Sequence, residues 1–157
     1  MNQNFKIIGI HKEQFISLLD DESKNSMTKN TKWLTADSKP GFPCRVSLVD
    51  AEVGEKVLAL SFVHHDVKSP YKASGPIFIR ENAESAALKV NEVPKMLRHR
   101  LLSIRAYNSE EMMIEADVTQ GTELETIIEK QFQNNDVKYI HIHNANPGCF
   151  NCAVHRA

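Results

Sequence analysis

Within nine residues near the C-terminal end, His141, His143 and Cys149 supply two imidazoles and a thiol. These are groups that serve as bases, metal ligands and nucleophiles near neutral pH. Lys138-Tyr139-Ile140-His141-Ile142-His143-Asn144 is expected to be the chain's last strand, and alternate side chains of a strand share a face. Ile140 and Ile142 therefore point one way, and Tyr139, His141 and His143 the other. The sequence Asn146-Pro147-Gly148-Cys149 that follows has proline and glycine where a type II turn wants them, which folds Cys149 back toward the strand end. A second Pro-Gly turn, Lys39-Pro40-Gly41-Phe42-Pro43-Cys44-Arg45, delivers another cysteine and an arginine.

Three chemistries fit these residues. In the first, a thiol-centred pocket, Cys149 is the nucleophile and His141 or His143 its base or imidazolium partner. Arg45 or Arg105 holds an anionic substrate bidentately, and Cys44 and Tyr71 are further candidate ligand-binding residues. The competing reading is a buried, inert thiol, since free cysteine is among the most buried residue types. In the second, His141 and His143 bind a metal ion, with Cys149 as a third ligand, and the run Cys149, Cys152, His155 adds soft ligands at Cys-x-x-Cys-x-x-His spacing. Its competitor is a pair of histidines hydrogen-bonded on a sheet face. In the third, loops 39–45 and 69–76 recognise a ligand or protein by shape, and the thiols do not matter.

The elements that must position these groups can be read from periodicity. Phe5 to Ile10 is a short apolar strand, and Phe15, Leu18 and Leu19 fall at helical spacing. Residues 20–32, nearly all polar at their start, form a weakly ordered helix or a mobile surface segment. Glu55 to His65 is a central strand, with Leu58, Leu60, Phe62 and His64 on one face, and it pairs antiparallel with Ile77–Arg80 across a turn-rich connection. His64 is expected as a satisfied core histidine and His65 as a partner of Asp66, while His11 and His99 lie at the surface. Pro94 opens a short helix whose apolar face is Met96 and Leu97.

A hairpin follows, in which Leu102, Ile104 and Ala106 alternate with Ser103, Arg105 and Tyr107, and Met112, Ile114, Ala116 and Val118 with Met113, Glu115 and Asp117. Thr122 and Glu125 are spaced as a capping box for a helix whose inner face is Leu124, Ile127, Ile128, Gln131 and Phe132. Strand 112–118, helix 122–134 and strand 137–144 then make a βαβ-like unit whose two strands run parallel, adjacent or one strand apart. The less apolar face of that sheet is expected to carry Ser103, Arg105, Tyr107, Glu115, Asp117, Tyr139, His141 and His143. The fold class is α+β, one domain over 1–157. Its mixed, mostly antiparallel sheet has helices packed mainly on one face.

Composition narrows the partners. Net charge is −1, with 41% apolar and 25% charged residues, so no bias favours nucleic acid or an anionic membrane. There is no stretch of 18 consecutive apolar residues, and Met1 to Gln14 has no basic segment followed by an apolar run. Three cysteines, an odd number, fit reduced thiols in a cytoplasmic protein better than a disulfide framework. Neither a glycine-rich phosphate loop, a His-Glu-x-x-His helix nor a Gly-x-Ser-x-Gly turn is present, so those chemistries lose weight. The expected partner is a small molecule, with neither nucleic acid nor membrane, and the sequence specifies no cofactor.

Three stretches carry a resemblance. Lys39-Pro40-Gly41-Phe42-Pro43-Cys44-Arg45-Val46-Ser47-Leu48, Ser69-Pro70-Tyr71-Lys72-Ala73-Ser74-Gly75-Pro76-Ile77-Phe78 and His141-Ile142-His143-Asn144-Ala145-Asn146-Pro147-Gly148-Cys149 resemble a bacterial family of small proteins defined as a domain of unknown function. The similarity extends over nearly the whole chain. It implies no activity, cofactor or partner. In that family the position of Cys152 tends to hold a small residue without a thiol, which the resemblance turns against a site that needs Cys152.

Overall fold

A computed structural model describes residues 3–19 and 30–157. Eight strands form two sheets. Strand β1 is Phe5–Ile8, β2 Thr31–Thr35, β3 Lys56–His65, β4 Ala73–Arg80, β5 Leu101–Tyr107, β6 Met113–Gln120, β7 Tyr139–Asn144 and β8 Phe150–Arg156. The larger sheet has the order β1-β8-β7-β5-β6 and the smaller the order β2-β3-β4. Every hydrogen-bonded pair of neighbours is antiparallel. Helices α1 (Ile16–Leu19), α2 (Lys95–Arg98) and α3 (Leu124–Phe132) are short. The fold is thus α+β and mostly sheet. No helix among the described residues is long and apolar enough to cross a membrane.

The βαβ-like unit is present in its one-strand-apart form. β6 and β7 both pair antiparallel with β5, so they run parallel to each other with β5 between them. α3 makes the crossover and buries Leu124, Ile128 and Phe132 against Leu102, Ile104, Ala106, Ile140 and Ile142. Each fully buried Leu, Ile or Phe among these is worth about 1.5–3 kcal/mol relative to exposure. The capping box does not form: no side chain caps the start of α3, and Glu125 instead pairs with Arg98.

Three other sequence expectations change. The strand 139–144 is not the last: β8 continues the hairpin through the Pro-Gly turn and fills the place between β7 and β1. The segment expected to be mobile falls outside the described residues over 20–29, whereas Thr31 and Lys32 belong to β2. Glu115 and Asp117 lie opposite Ala106 and Ile104, on the α3 face rather than with Arg105. There Asp117 meets Lys130 and Gln131, and Glu115 meets Asn134. Both carboxylates sit at the sheet edge, where Lys130 and Gln131 of α3 and Asn134 just after it satisfy them, and Val118 takes the exposed side.

The opposite face of the large sheet is not solvated. β3 carries His64 and His65 onto it: His64 stacks on Phe150 with centroids 5.2 Å apart, and His65 lies 5.1 Å from His141. The β3–β4 pairing slips between Phe62 and His65, and a bulge of this kind lets successive side chains reach the same neighbour. A second apolar core, including Leu58, Leu60, Ile77, Ile79, Cys44 and Val46, lies under the small sheet and reaches Phe150.

Candidate functional site

The two Pro-Gly turns meet. Segment 43–50 runs along the edge of β4, where Arg45 N–H donates to the Phe78 carbonyl at 3.0 Å. On its other side Ile10 N–H donates to the Arg45 carbonyl at 2.9 Å. Gly9 permits this approach, since a Cβ there would sit 2.9 Å from the Val46 carbonyl oxygen. After β7, Gly148 takes a φ of +83°, in the left-handed region that favours glycine, and its N–H donates to the Asn144 carbonyl at 3.0 Å. Asn144 N–H donates to the Cys149 carbonyl at 2.9 Å and closes the turn.

Arg45 is the residue around which this end of the molecule is built. It is 1% exposed. Its Nε donates to the Phe150 carbonyl at 2.7 Å, Nη1 to the Pro43 carbonyl, and Nη2 to Cys149 Sγ at 3.0 Å. Asn144 Nδ2 donates to the same sulfur at 3.2 Å, and Asn151 Nδ2 holds Asn144 through its Oδ1 at 2.8 Å. Burial pulls Arg45 below the ordinary arginine range, with Cys149 opposing the shift. Among the described residues no carboxylate forms an ion pair with Arg45.

A cavity of about 480 Å³ opens beside this cluster, lined by Arg45, Arg100, Asn144 and Cys149 together with Pro43 and Phe78. Arg100 reaches it already paired, its Nη2 2.6 Å from Asp50 Oδ1. Cys149 is half-buried, while Cys44 and Cys152 are fully buried. Cys44 faces the second core and accepts the Arg80 N–H at 3.3 Å, so it does not join Cys149 on the cavity wall. Cys152 lies opposite Ile142 in the main core, and burial pushes its thiol up to about 12.

The histidines gather elsewhere. His64, His141 and His143 each present a ring nitrogen within 4.8 Å of the others. Neither His141 nor His143 lines the cavity. His143 instead engages the turn from behind, its Nδ1 2.9 Å from the Gly148 carbonyl. Burial lowers all three, His64 to about 4, His141 to about 2 and His143 to about 3, so each is neutral at pH 7. His65 does not pair with Asp66, which meets Lys72. Its Nδ1 contacts the Tyr71 carbonyl at 2.8 Å and its Nε2 the Tyr139 hydroxyl at 2.6 Å.

Of the residues expected from sequence, the structure therefore brings Arg45 and Cys149 together at the cavity and leaves the rest outside it. Tyr71 is exposed over Tyr107, and Arg105 shares the histidine face with its Nε 3.1 Å from Ser103 Oγ. The Cys149, Cys152, His155 run is divided: Cys152 is core, His155 stacks on Tyr139 across the sheet, and Cys149 is held by Arg45. His64, Asn144 and Arg100 were not expected. His64 had one signal, a histidine ending the apolar face of Leu60 and Phe62.

No curated protein matches the chain, and no solved structure matches it. A family model described as "Protein of unknown function (DUF1203)" matches residues 41–156, a span that takes in segment 43–50, both sheets' central strands and the Cys149 turn. The chain belongs to this family of proteins of unknown function.

Proposed function

We propose that the protein binds a small anionic molecule in the cavity between the two Pro-Gly turns, with Arg45 as its charge partner and Cys149 as the thiol presented to it. The observation that carries this reading is the buried guanidinium. A cation at 1% exposure with no carboxylate beside it is costly unless another group supplies negative charge. Its three named acceptors are two carbonyls and a sulfur, and a guanidinium has five N–H groups, so donors remain for a carboxylate or phosphate. The cavity volume of about 480 Å³ falls within the range of small-molecule sites. Asn144 and Arg100 add polar contacts, and Pro43 and Phe78 supply the apolar wall.

Three free thiols support a reducing compartment such as the cytoplasm. A net charge of −1 supports a partner other than nucleic acid.

The test is protection of Cys149 from iodoacetamide by panels of small carboxylates and phosphates, with labelling located by peptide mass. Protection that saturates in wild type and disappears in Arg45→Met supports the reading. Labelling that no anion slows, in protein whose Cys149 does react, overturns it.

A further inference from the structure

We propose that His64, His141 and His143 form a binding site for a divalent first-row transition metal ion, with zinc the ion that the ligand set suits. The site is separate from the cavity and does not rest on its occupancy. Three independent features of the cluster point to it. The ring nitrogens lie within 4.8 Å of one another, drawn from β3 and from alternate positions of β7. A tetrahedral ion bonded at about 2.0–2.1 Å needs them roughly 3.3 Å apart, so binding requires the rings to draw together.

Unsatisfied nitrogens mark the same place. Among the described residues, six buried side-chain polar atoms lack a hydrogen-bond partner. Half of them are His64 Nδ1, His141 Nδ1 and His143 Nε2, one from each member of the cluster. A buried imidazole nitrogen without a donor or acceptor is costly, and coordination to a metal ion would satisfy it. The third feature is orientation. His143 Nδ1 sits 2.9 Å from the Gly148 carbonyl, which only an Nδ1–H can satisfy, so the Nε2 lone pair is left free. Metal-bound histidines commonly fix their tautomer through such an outer partner.

Three imidazoles with no thiolate or carboxylate among them leave a fourth position for an exogenous group, as catalytic zinc sites do. The neighbouring charge is positive: Arg105 acts on both His64 and His143, and Arg45 on His143. With the ion in place, these guanidinium groups favour an anion in the fourth position, such as hydroxide or a carboxylate.

The experiment uses full-length protein without a histidine tag, stripped with chelator and titrated with Co²⁺ and, separately, Zn²⁺. One equivalent per chain is expected, with visible Co²⁺ bands of nitrogen and oxygen coordination and no thiolate charge-transfer band. His64 is half-buried, so His64→Leu should keep the wild-type circular dichroism. Losing even an outer partner of a ligand costs about 10–100-fold in affinity, so losing this ligand should cost more than 100-fold. His141→Gln provides the second ligand variant, and Cys149→Ser should bind as wild type does. Absence of stoichiometric binding overturns the proposal. So does unchanged affinity in both His64→Leu and His141→Gln, or a thiolate band abolished by Cys149→Ser, which would put the ion on the turn.

Discussion

Arg45 Nη2 lies 3.0 Å from Cys149 Sγ, across 104 positions of chain, and Asn144 donates to the same sulfur. Cys44 also accepts two N–H groups, both from backbone, so what sets Cys149 apart is a donor that is a buried cation, together with its partial exposure. Native-state alkylation should therefore label Cys149 alone. Cys44 and Cys152, both at 0% exposure, should react only on unfolding. Fast labelling of either buried thiol in native protein, located by peptide mass, contradicts this packing.

Removing Arg45 should cost stability whatever the cavity holds. In Arg45→Met the carbonyls of Pro43 and Phe150 lose their donor, and a stranded buried acceptor costs about 1–3 kcal/mol. The expected loss is about 2 kcal/mol or more by urea denaturation. Cys149→Ser keeps a hydroxyl acceptor at the same place and should lose less. A neutral Arg45→Met would mean that the guanidinium is already offset by its own burial cost.

Gly9→Ala tests how segment 43–50 is seated. The added Cβ would meet the carbonyl oxygens of Val46 at 2.9 Å and Arg45 at 3.0 Å, both backbone atoms that cannot rotate away. Overpacking of this kind costs about 1–3 kcal/mol. Because the displaced segment carries Arg45, anion protection of Cys149 should weaken together with stability. A fully stable variant with unaltered protection would show that the segment has slack.

Glu125 gives a defined acid response. The Arg98 hydrogen bonds hold its carboxyl below the ordinary value of 4.5. A folded value below the unfolded one adds stability above pH 4.5 that is lost as pH falls through the folded value. Both side chains are about one-third exposed, so the contribution is screened to about 0.2–1 kcal/mol. Glu125→Gln should be less stable than wild type by that amount near pH 7, and the difference should vanish in strong acid. A difference that stays constant with pH would place its origin in packing.

A metal ion that binds only the folded protein stabilises it in proportion to the logarithm of its concentration, by about 2.7 kcal/mol at one hundred times Kd. The melting temperature of chelated protein should rise on adding Zn²⁺ and should not rise in His64→Leu. Because His143 joins the cluster to the Gly148 carbonyl, metal should also slow alkylation at the adjacent Cys149. Metal-induced protection that persists in His64→Leu would disconnect the two.

The strand 139–144 was legible because its period of two is strict. Ile140 and Ile142 face α3, and His141 and His143 face the small sheet, as alternation requires. The turn after it was legible as a chain reversal because only glycine takes φ +83° without strain, but its hydrogen bond runs from Gly148 N–H to the Asn144 carbonyl, one residue longer than a type II turn. The one-strand-apart arrangement of β6 and β7 was one of two that the crossover allows. The face of β6 was not legible. On an edge strand, Ile114 and Val118 can be exposed when Glu115 and Asp117 find partners on α3, and those partners lie on another element.

The sequence by itself determined which side chains each strand and turn would present, since bond geometry and local alternation act within a few residues. Only the tertiary structure decided which of them meet. Packing β3 against the large sheet separates the histidines from Cys149 and gives His141 and His143 the third imidazole of His64. Pairing segment 43–50 with β4 turns Cys44 into the core and brings Arg45 to Cys149. Those meetings depend on burying two apolar faces between sheets made from distant parts of the chain, an energy that no local spacing encodes.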